Sequence, residues 1–263
     1  LVDNDEGSSE TLLTRIEIEV DGVVEVAHWL VHQRYYPRVY LSDQHKTLRV
    51  AGIGAADRLQ IKSSASEARV SSAPHALLAR AFRVLRGAPG RMRFYGGMRF
   101  DPGAEQQAEW ASFGESVFVL PLWELQTDAN GRCWAACHLR WAPTSGAARS
   151  RDSDESFGEP KSESPEPPRS WADAARHALH VLQQLCPSAE PLPPTQQSLP
   201  TLVGHQGSLG PSDWEAGVRT VLEGIEAGEW TKVVLAQRVR VLFNAAVEPM
   251  HLLLRLLEAD DAA

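Results

Sequence analysis

Short runs of alternating apolar and polar residues, an Asn-Gly hairpin signal, and several segments with apolar residues every three or four positions predict an α+β fold, a largely antiparallel sheet with packed helices. Residues 12–20 open the series. Leu12, Thr14, Ile16, Ile18 and Val20 alternate there with Leu13, Arg15, Glu17 and Glu19, the pattern of a strand with one face buried. Asp21-Gly22 turns the chain. Residues 23–31 suit a short helix placing His28 and His32 four apart; without the glutamate of a zinc protease motif, the pair reads as structural. Residues 35–41 and 47–53 are two more strands around a polar turn, so a meander forms.

Gly52-Ile53-Gly54-Ala55-Ala56-Asp57 carries two glycines of a dinucleotide-binding fingerprint. Asp57 stands at the third position, where charge and bulk oppose phosphate approach, so the glycines read as a strand end in close backbone contact. Residues 73–86 suit a helix that ends at 87–90. In the stretch from Arg93 to Asp101, Gly96 and Gly97 between aromatic residues permit a bulge and close approach of a neighbouring element. Residues 113–125 and 132–141 are two strong strand candidates around Asp128-Ala129-Asn130-Gly131, with Pro121 marking a bulge or edge.

Composition then shifts. Residues 142–170 mix Pro143, Pro165, Pro167 and Pro168 with Ser, Asp, Glu and Gly, too little apolar surface to offset ordering, and a disordered insertion is expected. Residues 171–185 read as a helix with Ala174, Ala178, Val181, Leu182 and Leu185 on one side. After a second proline-rich loop at 187–200, Ser212-Asp213-Trp214-Glu215 reads as a capping box. The helix it starts continues through Val218, Leu222 and Ile225 and stops near Gly228. Residues 230–241 read as a strand and 251–258 as a helix. The domain reading is a β-rich half at 1–141, the insertion at 142–170, and 171–263 continuing the same domain.

The 263 residues are 43% apolar with a formal charge of −8, a globular composition that argues against a nonspecific nucleic-acid surface. No apolar run is long enough for a membrane span. Cys133, Cys137 and Cys186 form no even framework, which fits a reducing compartment (cytoplasm or, in a photosynthetic eukaryote, plastid) better than secretion. Cys133, Cys137 and His138 lie within one apparent strand with no second ligand pair following, so no zinc site is expected.

Lys232 is the chemical suspect, one lysine inside the apolar run 230–241. Burial lowers a lysine's pKa towards values useful to a general base, whereas most lysines flanking strands are solvated gatekeepers. Lys232-Val233-Val234-Leu235-Ala236 resembles the "KVVLA" strand of chorismate-utilising enzymes, in particular isochorismate synthases. The likeness extends to Trp29-Leu30, Gln33, Pro37 and Val39-Tyr40, to Ala51-Gly52-Ile53-Gly54, to Gly96 through Asp101 followed by Trp110 and Phe113, and to the stretch from Trp214 to Ala236.

The resemblance implies that Lys232 activates the water that adds to C2 of chorismate while the C4 hydroxyl leaves, feeding quinone or salicylate-type products. It also implies Mg²⁺ as cofactor. The family's acid glutamate and Mg²⁺-binding glutamates belong to a carboxy-terminal half whose motifs are not found here. The chain is therefore expected to be an amino-terminal part, inactive alone, with exposed apolar sheet faces and a carboxy-terminal segment as partner. Gln237-Arg238 is similar to the "QR" of the anthranilate synthase branch. That carries the alternative of an anthranilate or aminodeoxychorismate synthase component; a non-catalytic interaction module is the other.

Overall fold

The computed structural model describes residues 12–21, 24–61, 92–100, 108–142, 168–188, 190 and 199–261. The helix expected at 73–86 and nearly all of the insertion expected at 142–170 lie outside them. The chain divides into two compact units, 1–191 and 192–263.

The first unit is built on antiparallel strands. β1 (Leu12–Val20), β2 (Arg38–Ser42), β3 (Leu48–Ile53), β7 (Trp123–Asp128) and β8 (Cys133–Trp141) form a five-stranded sheet in the order β1-β8-β7-β3-β2. β4 (Asp57–Ile61), β5 (Tyr95–Met98) and β6 (Ser116–Leu120) form a second sheet in the order β4-β6-β5. Helix α1 (Val26–Val31) packs on β3, and helix α2 (Trp171–Gln183) packs on β8. Ser170 caps α2 by accepting the Asp173 amide at 3.1 Å, and Ala174, Ala178 and Val181 bury its apolar stripe against Leu122, Cys137 and Leu139. Burying side chains such as Leu30, Ile53, Leu120 and Leu139 contributes about 1.5–3 kcal/mol each.

The Asn-Gly turn forms as expected, with Gly131 at φ +76° between β7 and β8. The single strand expected at 113–125 is instead two strands in different sheets. Pro121 stands between β6 and β7, where its missing N–H ends one ladder and lets the chain cross to the other sheet. Gly52 of β3 faces that crossing: a Cβ there would lie 2.6 Å from Pro121 Cγ, so only glycine allows the approach. β4 follows immediately and was not foreseen. Its run Asp-Arg-Leu-Gln-Ile is short with two charged residues among five, and pairing with β6 defines it.

β1 forms as expected with one face buried, and it is the face bearing charges. Its buried face carries Leu13, Arg15 and Glu17, whereas Ile16 and Ile18 are 44% and 64% exposed. The charged face turns inward because partners for its charges await it there; an ion is buried when paired and hydrogen-bonded.

The second unit comprises β9 (Leu202–Gly207), helix α3 (Pro211–Glu226), β10 (Val239–Phe243) and helix α4 (Pro249–Asp261), with β9 and β10 an antiparallel ribbon. Helix α3 starts one residue before the proposed capping box. Gly210 is its N-cap, Pro211 occupies the first turn, and the Asp213 carboxylate accepts the Gly210 amide at 3.4 Å. The strand expected at 230–241 is confined to β10. Among the described residues, 230–238 have no strand neighbour to complete a ladder, and β9 ends where Gly207 meets Val239.

Candidate functional site

Lys232 lies on this unpaired stretch. It is exposed, and neither a hydrogen bond nor an ion pair engages it among the described residues. The desolvated lysine expected from the apolar run is therefore not what the fold presents, because nothing in the second unit covers it. Val233, Val234 and Leu235 are exposed beside it, Val234 to 78%. Leu202, Val203, Val239, Val241 and Leu242 of the same unit are exposed as well.

The turn leading to Lys232 is sharply defined. Gly228, at φ +76°, donates its N–H to the Ile225 carbonyl at 3.1 Å, and Glu229 donates to the Gly224 carbonyl at 2.9 Å, the paired bonds of a Schellman helix end. Trp230 then lies across Gly224. Past the lysine, Gln237 Nε2 donates to the Leu209 carbonyl at 2.7 Å, and Ser208 and Arg238 join through a 2.8 Å backbone bond.

A second set of functional groups occupies the interior of the first unit. Arg15 Nη1 donates to Glu124 Oε1 at 3.0 Å and to His138 Nε2 at 2.8 Å, and Arg15 Nε donates to Glu17 Oε2 at 2.8 Å. His138 Nδ1 donates to the Pro121 carbonyl at 2.8 Å, which fixes the neutral tautomer with Nε2 as acceptor. Tyr95 Oη, reaching across from the second sheet, donates to Glu124 Oε2 at 2.9 Å. Burial pushes the His138 imidazole down to about 3, with the Arg15 charge adding to the shift and the Pro121 bond opposing it. Burial, then the Glu124 charge, raises the Tyr95 phenol. Burial opposes the Arg15 charge, but Glu124 and Glu17 outweigh it and hold the guanidinium above its ordinary value. With charges paired and the imidazole neutral, this cluster can hold two sheets together. It offers no free nucleophile. Sequence reading missed it, although charges at alternate positions of β1 were a signal that its polar face had partners.

The remaining candidates are structural in this fold. Burial pushes the Cys137 thiol up to about 12, and Cys133 is buried and free. His32 Nε2 contacts the Glu190 carbonyl at 2.9 Å. Asp57 pairs with Arg140 at 3.4 Å. The buried Gln33 amide donates to Trp29 and Cys186 carbonyls and accepts the Cys186 amide, tying α1 to the end of α2. Gly96 faces β6 closely enough for a Cβ to strike the Val117 carbonyl; Asp101 lies outside the described residues. Among the described residues, no group of three or more His, Cys, Asp or Glu side chains could hold a metal ion, and no helix is long and apolar enough to cross a membrane.

Residues 2–177 and 162–263 match the family described as chorismate binding enzyme. In fold the chain is similar to MenF, the menaquinone-specific isochorismate synthase from Escherichia coli, with a TM-score of 0.50 and 19% sequence identity, covering 93% of this chain and 44% of the MenF chain. No curated protein matches the chain in sequence.

Proposed function

We propose, since the chain belongs to the chorismate-binding enzyme family, that it carries the general base of an isochorismate synthase. Lys232 takes the proton of a water that adds to C2 of chorismate as the C4 hydroxyl leaves, giving isochorismate. The observation supporting this is the presentation of Lys232: an amine without a partner, on backbone without a ladder, among exposed valines and leucine. A base must be neutral when it accepts the proton, and the reaction also needs an acid on the leaving side. Covering this face with apolar surface takes water from the amine and favours its neutral form.

That cover is not supplied within the second unit, and the chain spans 44% of the MenF neighbour's length. We assign it to a carboxy-terminal segment as partner, which would bury the apolar surface around Val234 and bring the leaving-group acid. The described residues do not fit a Mg²⁺ site, which needs several oxygen ligands around one ion, and no step here runs through the metal.

The test is chorismate turnover with Mg²⁺, by this chain alone and joined to the remaining part of the fold, each with and without Lys232→Ala. Turnover only in the joined form, lost by about 100- to 10,000-fold in Lys232→Ala, is the expected result. Turnover that survives Lys232→Ala would remove Lys232 as the base, and formation of an aminated product with ammonia would move the chain to the anthranilate branch. Chorismate binding without conversion by the joined form would favour the non-catalytic interaction module.

A further inference from the structure

The segment that carries Lys232 is tied at both ends by side chains. At its start, the Schellman turn at Gly228 folds the chain back over the last turn of α3, and the Trp230 ring comes to rest on Gly224. A Cβ on Gly224 would stand 2.6 Å from both Cε3 and Cζ3 of the indole, so the contact depends on a residue with no side chain in the last turn of the helix. At its end, Gln237 reaches back to the Leu209 carbonyl at 2.7 Å and lies over Gly207, where a Cβ would meet its Nε2 at 2.8 Å. The neighbouring Ser208 and Arg238 add a 2.8 Å backbone bond and a 3.3 Å bond from the Arg238 amide to Ser208 Oγ. Between these anchors, residues 231–236 make no hydrogen bond among the described residues.

We propose that Trp230 and Gln237 are positioning residues for Lys232, acting as clamps that hold the six-residue segment 231–236 in place while leaving its backbone and amine open. The inference rests on the reading of Lys232 as the base. Ladder hydrogen bonds would order such a segment but would also occupy it with a neighbouring strand. Fixing only its ends removes most of the conformations open to a free loop of that length, and leaves the approach to the amine clear. It also gives Gln237 a task within the second unit: its amide is engaged by Leu209, away from the lysine.

The order of the segment is measurable in this chain itself. In the wild type, amide resonances of 231–236 are expected to show heteronuclear NOE values close to those of α3. In Trp230→Ala and in Gln237→Glu, which keeps the shape of the side chain but loses its N–H donor, they fall to values typical of mobile loops while α3 is unchanged. Unchanged order in both variants overturns the proposal, whether or not any form of the protein turns over chorismate.

In the joined form, Gly224→Ala should lower kcat about tenfold and Trp230→Ala about 100-fold, with KM within about twofold, because a base displaced by an ångström costs rate rather than binding. Trp230→Phe should recover most of the loss. A merely structural role of the contact predicts a loss of stability from Gly224→Ala with kcat of the folded protein unchanged. Wild-type kcat in Gly224→Ala and Trp230→Ala, alongside an inactive Lys232→Ala, overturns the positioning role and leaves the base intact. Full activity in Lys232→Ala fails the base reading instead.

Discussion

Two stretches of this chain, 12–20 and 230–241, place cations among apolar residues in strand-like runs, and the fold treats them in opposite ways. In the first, Arg15 turns inward and meets Glu124 and His138, residues 109 and 123 positions away in sequence. In the second, Lys232 stays in water and its apolar neighbours stay exposed. A buried cation is the outcome where distant strands deliver carboxylates and acceptors to it. Without them, the cost of stripping water from the charge keeps the whole segment at the surface. The charge decides in both cases: Arg15 takes the inner face of β1 and leaves Ile16 and Ile18 outside, and Lys232 stays outside with Val234 beside it.

The comparison can be broken most directly at Arg15. Arg15→Ala leaves Glu124 buried without its ion pair and should cost about 3–5 kcal/mol in urea unfolding. A loss below about 1 kcal/mol would show that the cluster is not closed as described. Gly52→Ala forces a methyl group into Pro121 and should cost about 1–3 kcal/mol by the same measurement.

His138 sharpens the contrast through pH. Its imidazole is held down to about 3 in the fold, so below its unfolded value of about 6.5 the unfolded chain binds a proton that the folded chain refuses. Its contribution is complete above pH 6.5 and is lost as pH falls towards 3, by about 1.4 kcal/mol per pH unit, or about 2 kcal/mol by pH 5. His138→Gln, which keeps a donor and an acceptor, should flatten that part of the stability profile; an unchanged slope would assign the acid sensitivity to other groups. The smallest effect belongs to the other side of the comparison. Lys232→Ala should leave unfolding within about 0.5 kcal/mol of the wild type, since the side chain has no partner to lose. A larger loss would mean that the lysine is held by contacts outside the described residues.

Much of the first unit's fold is legible in the sequence. The alternation over 12–20 marks β1, the Asn-Gly pair marks the β7–β8 turn, and the 171–185 stripe marks α2, because each is a pattern within a few neighbouring residues. β4 and β9 escape such reading: one is short and charged, the other glycine-bearing and polar, and each becomes a strand by pairing with a partner far along the chain. At the candidate site, the identity of Lys232 is legible through the "KVVLA" motif. Its exposure is not, because an apolar run looks the same whether or not a covering layer is present. The Trp230–Gly224 contact is also invisible at the level of residue types, since it depends on the chain reversing at Gly228.

Composition and local pattern alone thus suffice for an antiparallel α+β chain, for most of its turns and helices, and for the lysine to suspect. Which face of β1 is buried, where the ladder of β10 stops, and which polar groups meet inside the first unit were settled by long-range pairing. The reason is physical: periodicity reports that a strand has two unlike faces, but the free energy of burying either one depends on what the opposing strands bring to it.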